Sequence, residues 1–245
     1  MSTIRCFTSE YTQLVSGTKY LLSSRESHHL INVLRARPSD SVLLMNGNGE
    51  VANASICGKI GDKVELLAKT VTTCKRSKLI LCQALLKNKA MDLIIRDAAA
   101  LGVAKILPLI TERSDVKFNA RSSETKLLHW KAIAIEACKQ SGEAFVPEIS
   151  KPMSLEAFLE DNKNISLVAS LYNANKKHLM DYHSEICSAP MLNLIVGPEG
   201  DFSRREYEMM LTNDIKFITL TQNILRSETA ALYLLSLADQ ITPRE

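Results

Sequence analysis

The stretch Leu194-Ile195-Val196-Gly197-Pro198-Glu199-Gly200-Asp201-Phe202-Ser203 changes character twice within a few residues. It opens as an unbroken apolar run, which suits a strand buried on both faces. It then breaks at Gly-Pro-Glu-Gly, where glycine admits backbone conformations closed to other residues and lets a ligand approach the main chain. Ser203 with Glu206 makes an S-x-x-E capping box, so a helix starts directly after the turn. Strand, tight turn and helix in that order form the repeating unit of an α/β fold with a parallel sheet. Ligands of such sheets bind beyond the carboxyl ends of the strands. Taken alone, the turn also fits an ordinary connection between a strand and a helix.

The same alternation continues on both sides. Leu79 to Leu86 is a nearly continuous apolar run, and Val103 to Ile110, Ile165 to Leu171 and Ile215 to Leu220 read as further strands. Between them Met91, Ile94, Ile95, Ala98 and Ala99 fall on one helical face. Gly102 follows as a C-terminal cap. Glu124 to Gln140 reads as a long helix with Trp130 facing the core, and Ser227 to Gln240 as a final helix.

Toward the N-terminus the period changes to that of β structure. Val42 to Met45 is a short apolar run that ends at the turn Asn46-Gly47-Asn48-Gly49. Ala52, Ala54 and Ile56 alternate with polar residues, and Gly61-Asp62 precedes a third run, Val64 to Ala68. Short strands with close turns predict a small barrel, with one short helix over His28 to Leu34. The polar, basic stretch Thr72 to Lys78 reads as a linker, which divides the chain into domains 1–71 and 72–245.

The chain has 245 residues, 46% of them apolar and 23% charged, with a net charge of +3. That supports sizeable cores and leans only slightly toward an anionic partner, so a nucleic-acid binder would need its cations clustered. The six cysteines show no C-x-x-C pair and no zinc-finger spacing, and reduced thiols are expected. His28 and His29 lack a third ligand, and no metal is expected. Met1 to Phe7 lacks the apolar run of a signal peptide, and no stretch reaches the roughly 18 apolar residues a membrane span needs. A soluble, cytoplasmic protein is expected.

A second segment carries chemistry: Leu220-Thr221-Gln222-Asn223-Ile224-Leu225-Arg226-Ser227-Glu228-Thr229-Ala230-Ala231. Glu228 near a helix N-terminus is favoured by the helix dipole alone. Arg226 is placed against that preference, which points to a functional cation.

The two segments together resemble the SPOUT methyltransferases, and specifically the RsmE family that methylates N3 of a uridine in 16S ribosomal RNA. The likeness runs along nearly the whole chain. Arg5-Cys6-Phe7, His28-His29-Leu30, Val33-Leu34-Arg35, Lys87 with Met91-Asp92, Leu101-Gly102-Val103, Thr111-Glu112-Arg113-Ser114, Glu136-Ala137 and Gln140-Ser141-Gly142 stand in the family's order.

The resemblance implies a PUA-like β-barrel, then a SPOUT domain whose parallel sheet closes in a deep trefoil knot. It implies S-adenosylmethionine as methyl donor, held by three loops: one around Leu171-Tyr172-Asn173, the turn Gly197, Pro198, Glu199, Gly200, and the segment with Leu220, Ile224 and Leu225. Arg226 and Glu228 become the catalytic candidates. Arg5, Arg35, Lys75, Arg76 and Lys87 become the RNA-facing ones. The partners implied are 16S rRNA in the small ribosomal subunit and a second copy of the chain, without membrane or metal. The chain departs from the family pattern at Ala100, Glu143, Asp201, Thr221 and Asn223. Thr221 in place of glycine predicts steric conflict in a donor loop. These departures keep an alternative open: an RNA-binding assembly protein of the same fold with a weakened donor site.

Overall fold

A computed structural model describes residues 4–38, 40–114, 120–172 and 176–242, and at 88 and 120–122 the backbone alone. The chain divides into two compact units, Met1–Arg76 with Ile135–Val146, and Ser77–Ala134 with Pro147–Glu245.

The first unit is built on a five-stranded sheet. Its strands are β1 (Ile4–Phe7), β2 (Lys19–Leu21), β3 (Ser41–Met45), β4 (Glu50–Ile60) and β5 (Lys63–Thr73), in the order β1-β3-β4-β5-β2. All neighbours are antiparallel except β1 and β3. The alternation read at Ala52 and Ala54 buries both against Val42, Leu44, Val64 and Leu66. Two boundaries differ from expectation. Strand β5 runs through Thr73, into the stretch expected to be linker. The short helix α1 (Ser24–His28) begins before His28 because Ser23 Oγ accepts from the backbone N–H of Glu26. A π-helical turn, His29–Val33, continues it.

The same unit holds a buried ion pair. Lys139 Nζ meets Glu26 Oε1 at 2.8 Å, with both side chains almost wholly enclosed. Glu26 Oε2 accepts from the Phe7 backbone N–H. Beside this pair Cys6 is buried, and its thiol is pushed up to about 12, chiefly by burial and then by the Glu26 charge.

The second unit carries a seven-stranded parallel sheet. Six strands lie in the order β12-β10-β11-β6-β7-β8: β6 (Leu79–Ala84), β7 (Lys105–Ile110), β8 (Glu148–Ile149), β10 (Ile165–Ala169), β11 (Leu192–Val196) and β12 (Lys216–Ile218). The seventh, β9 (Met153–Ser154), pairs with β7. Strands β6 and β11 are buried along their whole length, as their apolar runs predict.

The helices are α2 (Asn88–Ala100), α3 (Ala120–Ser141), α4 (Leu155–Asp161), α5 (His183–Ser188), α6 (Arg204–Thr212) and α7 (Ser227–Ile241). The apolar face of α2 is fully buried at Met91, Ile94, Ile95, Ala98 and Ala99. Truncating Ile94 to Ala would cost about 2–5 kcal/mol. Gly102 ends α2 in the left-handed region at φ 74°, where a Cβ would be strained. Trp130 is buried. Helices α4 and α5 are too short to leave a periodic signal. No helix among the described residues is long and apolar enough to cross a membrane.

Candidate functional site

Three strand ends converge on one cavity of about 470 Å³ in the second unit. The loop after β10 contributes Ser170 and Leu171. The turn after β11 contributes Gly197, Pro198, Glu199 and Asp201. The segment from β12 into α7 contributes residues 219–227. This is the carboxyl end of a parallel sheet, the place where such folds bind ligands.

The turn after β11 is held on every side. Ser203 Oγ accepts from the Glu206 backbone N–H, and Glu206 Oε2 accepts from the Ser203 backbone N–H, so the expected capping box is present. Glu206 Oε1 also accepts from the Glu112 backbone N–H at 2.8 Å. Arg113 Nη1 donates to the carbonyls of Gly200 and Phe202 at 2.9 and 3.3 Å. A Cβ on Gly197 would stand 2.9 Å from the Phe202 ring, so the ring's packing requires glycine there.

Of the expected donor contacts, Leu171, Gly197, Pro198, Glu199, Leu220, Ile224 and Leu225 line the cavity together, and Arg226 joins them. Gly200 is outside the lining, its carbonyl engaged by Arg113. Glu228 is also outside it, in the first turn of α7. Asn173, expected beside Leu171 and Tyr172, lies outside the described residues. Arg226 is the exposed N-cap residue of α7, and its side chain makes no cap hydrogen bond.

The expected RNA-facing residues have different settings. Arg35, Lys75, Arg76 and Lys87 are exposed, with Arg35 at φ 54° and Arg76 lying 5.9 Å from the Phe145 ring centre. Arg5 is half-buried, and its Nη1 donates to the carbonyls of Lys139 and Gln140. That is a brace on the end of α3, where a cation suits the helix dipole. Lys78, from the basic linker, is similarly taken up by the carbonyls of Ile186, Cys187 and Ala189.

Of the departures from the family pattern, Asp201, Thr221 and Asn223 line the cavity, and Ala100 and Glu143 do not. Asp201 has φ 58°, a conformation glycine adopts freely and aspartate tolerates better than most residues. Its carboxylate accepts from the Tyr207 hydroxyl at 2.6 Å. Thr221 is not among the positive-φ residues, and its hydroxyl donates to the Asn223 carbonyl at 2.7 Å. The backbone at Thr221 therefore carries none of the left-handed strain that would call for glycine. Ser170 and Lys176 line the cavity without having been singled out, since loop residues leave no periodic trace.

Two family models match the chain: an RNA methyltransferase domain over residues 73–239, and an RNA methyltransferase PUA domain over residues 22–67. Ribosomal RNA small subunit methyltransferase E of Rickettsia conorii is 32% identical over 215 residues, which cover 86% of this chain and 85% of that one. The chain belongs to the ribosomal RNA small subunit methyltransferase E family. A member of this family from Neisseria gonorrhoeae, solved bound to S-adenosyl methionine, matches with a TM-score of 0.86 at 26% identity, covering 98% of each chain. A methyltransferase of Legionella pneumophila, solved with its cofactor SAM bound, matches with a TM-score of 0.87 at 31% identity and 99% coverage of both chains. The PUA match falls in the first unit and most of the methyltransferase match in the second.

Proposed function

We propose that the protein transfers a methyl group from S-adenosylmethionine to N3 of a uridine in 16S ribosomal RNA of the small ribosomal subunit, acting in the cytoplasm as a homodimer. One observation carries the reading: the residues of three separate loops that the family likeness assigns to the donor line one cavity, with Arg226 at its wall.

The cavity fits such a donor. Its volume is within the usual range for small-molecule sites of roughly 300–1,000 Å³. Apolar Leu171, Leu220, Ile224 and Leu225 suit a flat adenine. Backbone groups of the loops suit its polar edge. Lys176 and Arg226 with Glu199 and Asp201 suit a zwitterionic amino-acid end. S-adenosylmethionine supplies, when bound, a methyl made electrophilic by its sulfonium, which calls for no metal.

The chain's own residues then have two tasks. Uridine N3 must lose its proton before its lone pair can attack, and the base becomes negative as it does. Arg226 stabilises that charge from the cavity wall. Glu228 orients Arg226 or accepts the N3 proton, directly or through water. Arg35, Lys75, Arg76 and Lys87 contact phosphates, while Arg5 braces α3. The uridine leaves its stack to reach the cavity.

Finer architecture belongs to the same reading. We take the first sheet as a PUA-like barrel and the end of the chain as a deep trefoil knot, with domains 1–71 and 72–245. The strand order β12-β10-β11-β6 and the gathering of three loops support the knot. Exposed Ile224 and Leu171 beside the cavity support a second copy covering them. The alternative, a binding protein with a degraded donor site, is not favoured, because Asp201 and Thr221 are hydrogen-bonded into the loops. Calorimetric titration with S-adenosylmethionine in the absence of RNA tests the reading. Saturable heat is expected, and no heat at millimolar donor would return the alternative.

A further inference from the structure

Gln83 is the one polar residue of strand β6 and is completely buried. Its Nε2 donates to Ser227 Oγ at 2.9 Å and to the Ala84 carbonyl at 3.1 Å. Ser227 Oγ stands 2.5 Å from the Gly197 carbonyl oxygen. A carbonyl cannot donate, so the single hydroxyl proton of Ser227 belongs to that contact. Ser227 must then accept from Gln83, and this fixes which way the amide points. The consequence is that Gln83 Oε1 is buried with no hydrogen-bond partner among the described residues. An unsatisfied buried acceptor is costly, and an apolar side chain of similar volume would avoid it.

What the amide nitrogen holds explains the arrangement. Pro198 follows Gly197 and has no N–H, so the carbonyl is the only polar handle on the Gly197–Pro198 peptide. Ser227 grips that handle from the first turn of α7, one residue after Arg226. Gly197, Arg226 and Ser227 all line the cavity, and Gln83 stands behind them.

We infer that Gln83 is a positioning residue for the donor cavity: acting through Ser227, it fixes the Gly197 carbonyl and sets the gap between the turn after β11 and Arg226. The inference rests on the donor reading above. It assigns Gln83 no contact with substrate.

The test is calorimetric titration of S-adenosylmethionine into the full-length wild type, Gln83→Leu, Ser227→Ala and the double variant. Unfolding midpoints are measured beside each. Either single change should weaken donor binding roughly tenfold, the scale of one lost hydrogen bond to a neutral group. The double variant should lose no more than either single one, because both break the same relay.

Gln83→Glu adds a readout that mere packing would not move. Its protonated carboxyl can donate to Ser227 as the amide does. Its carboxylate can only accept, which draws the Ser227 proton away from Gly197. The ratio of variant to wild-type affinity should therefore fall as pH rises from about 5 to about 8.5, since burial lifts a carboxyl's titration into that range. Lys176, Glu199, Asp201 and Arg226, the charged groups lining the cavity, are common to both proteins and cancel in the ratio. Additive losses in the double variant, or a ratio that does not change with pH, would overturn the relay. A wild type that binds no donor would overturn the donor reading and the relay together. Donor binding that survives unchanged in every variant would overturn the relay alone. If Gln83→Leu does not fold, Ser227→Ala and the pH series of Gln83→Glu decide the matter.

Discussion

The Tyr207 hydroxyl lies 2.6 Å from Oδ1 of Asp201, and this bond joins helix α6 to the turn that walls the cavity. The same phenol oxygen is within reach of the Ser170 hydroxyl and the Leu171 backbone, in the loop after β10. Tyr172 stacks on the Tyr207 ring with centroids 4.9 Å apart. Two of the three loops that line the cavity thus meet at one side chain. Burial, and after it the bond to Asp201, pushes the Tyr207 phenol well above its ordinary value of 10.0.

Tyr207→Phe should accordingly weaken donor binding several-fold and reduce stability by about 1–2 kcal/mol. It should also change the alkaline limb of the stability curve. A raised folded-state value favours the protonated phenol, so its contribution is complete below the unfolded value of about 10 and is lost as pH climbs from there toward the folded value. Denaturant unfolding from neutral pH to about pH 11 should show a steeper loss in the wild type than in the Phe variant. Equal slopes would show that the phenol does not titrate with unfolding.

Arg226→Ala should lower the chemical step by on the order of a hundredfold or more while largely sparing donor affinity, if the guanidinium stabilises a uridinate. Arg226→Lys should restore little, because a point charge does not reproduce a planar fork of donors. Single-turnover methyl transfer, with donor binding measured separately, distinguishes the cases. Loss of donor binding together with rate would make Arg226 a binding residue.

Thr221→Gly should loosen the loop and weaken donor binding by a few-fold. The sequence suggests the opposite, since glycine is the family's residue. The structure reverses the sign, because Thr221 Oγ1 anchors the Asn223 carbonyl and its backbone is not left-handed. Glycine there would add freedom to be lost on ordering and remove one hydrogen bond. Tighter binding in the variant, read by calorimetry, would contradict this.

Lys139→Met should destabilise the protein by roughly 3–5 kcal/mol, because it leaves the Glu26 carboxylate buried without its partner. Chemical denaturation reads this directly. Adding Glu26→Gln to Lys139→Met should recover part of the loss. A loss below about 1 kcal/mol in the single variant would mean that water reaches the pair.

Much of this was legible in the residues. The runs at Leu79 and Leu194 lie in strands β6 and β11, which are buried along their whole length, so their apolar character is continuous and these strands can be read directly. Ser203 and Glu206 announced the start of α6 because a capping box is a local device. Ser23 with Glu26 has the same local S-x-x-E spacing, and it starts α1 ahead of His28. Polar partnerships between distant residues could not be read. Gln83 and Ser227 stand 144 positions apart, and nothing in either segment names the other. Arg5 read as a surface cation, yet its acceptors are carbonyls more than 130 residues away. Asp201 read as a departure from glycine, whereas its φ of 58° keeps the glycine-like backbone and its carboxylate anchors Tyr207.

The most direct measurement is transfer of an isotopically labelled methyl group from S-adenosylmethionine to small ribosomal subunits that lack the modification, followed by nucleoside analysis of the 16S rRNA. The account predicts stoichiometric label in N3-methyluridine at one position, with labelling slowed by on the order of a hundredfold or more in Arg226→Ala. Donor binding with no labelled uridine, or label on another base, would contradict it.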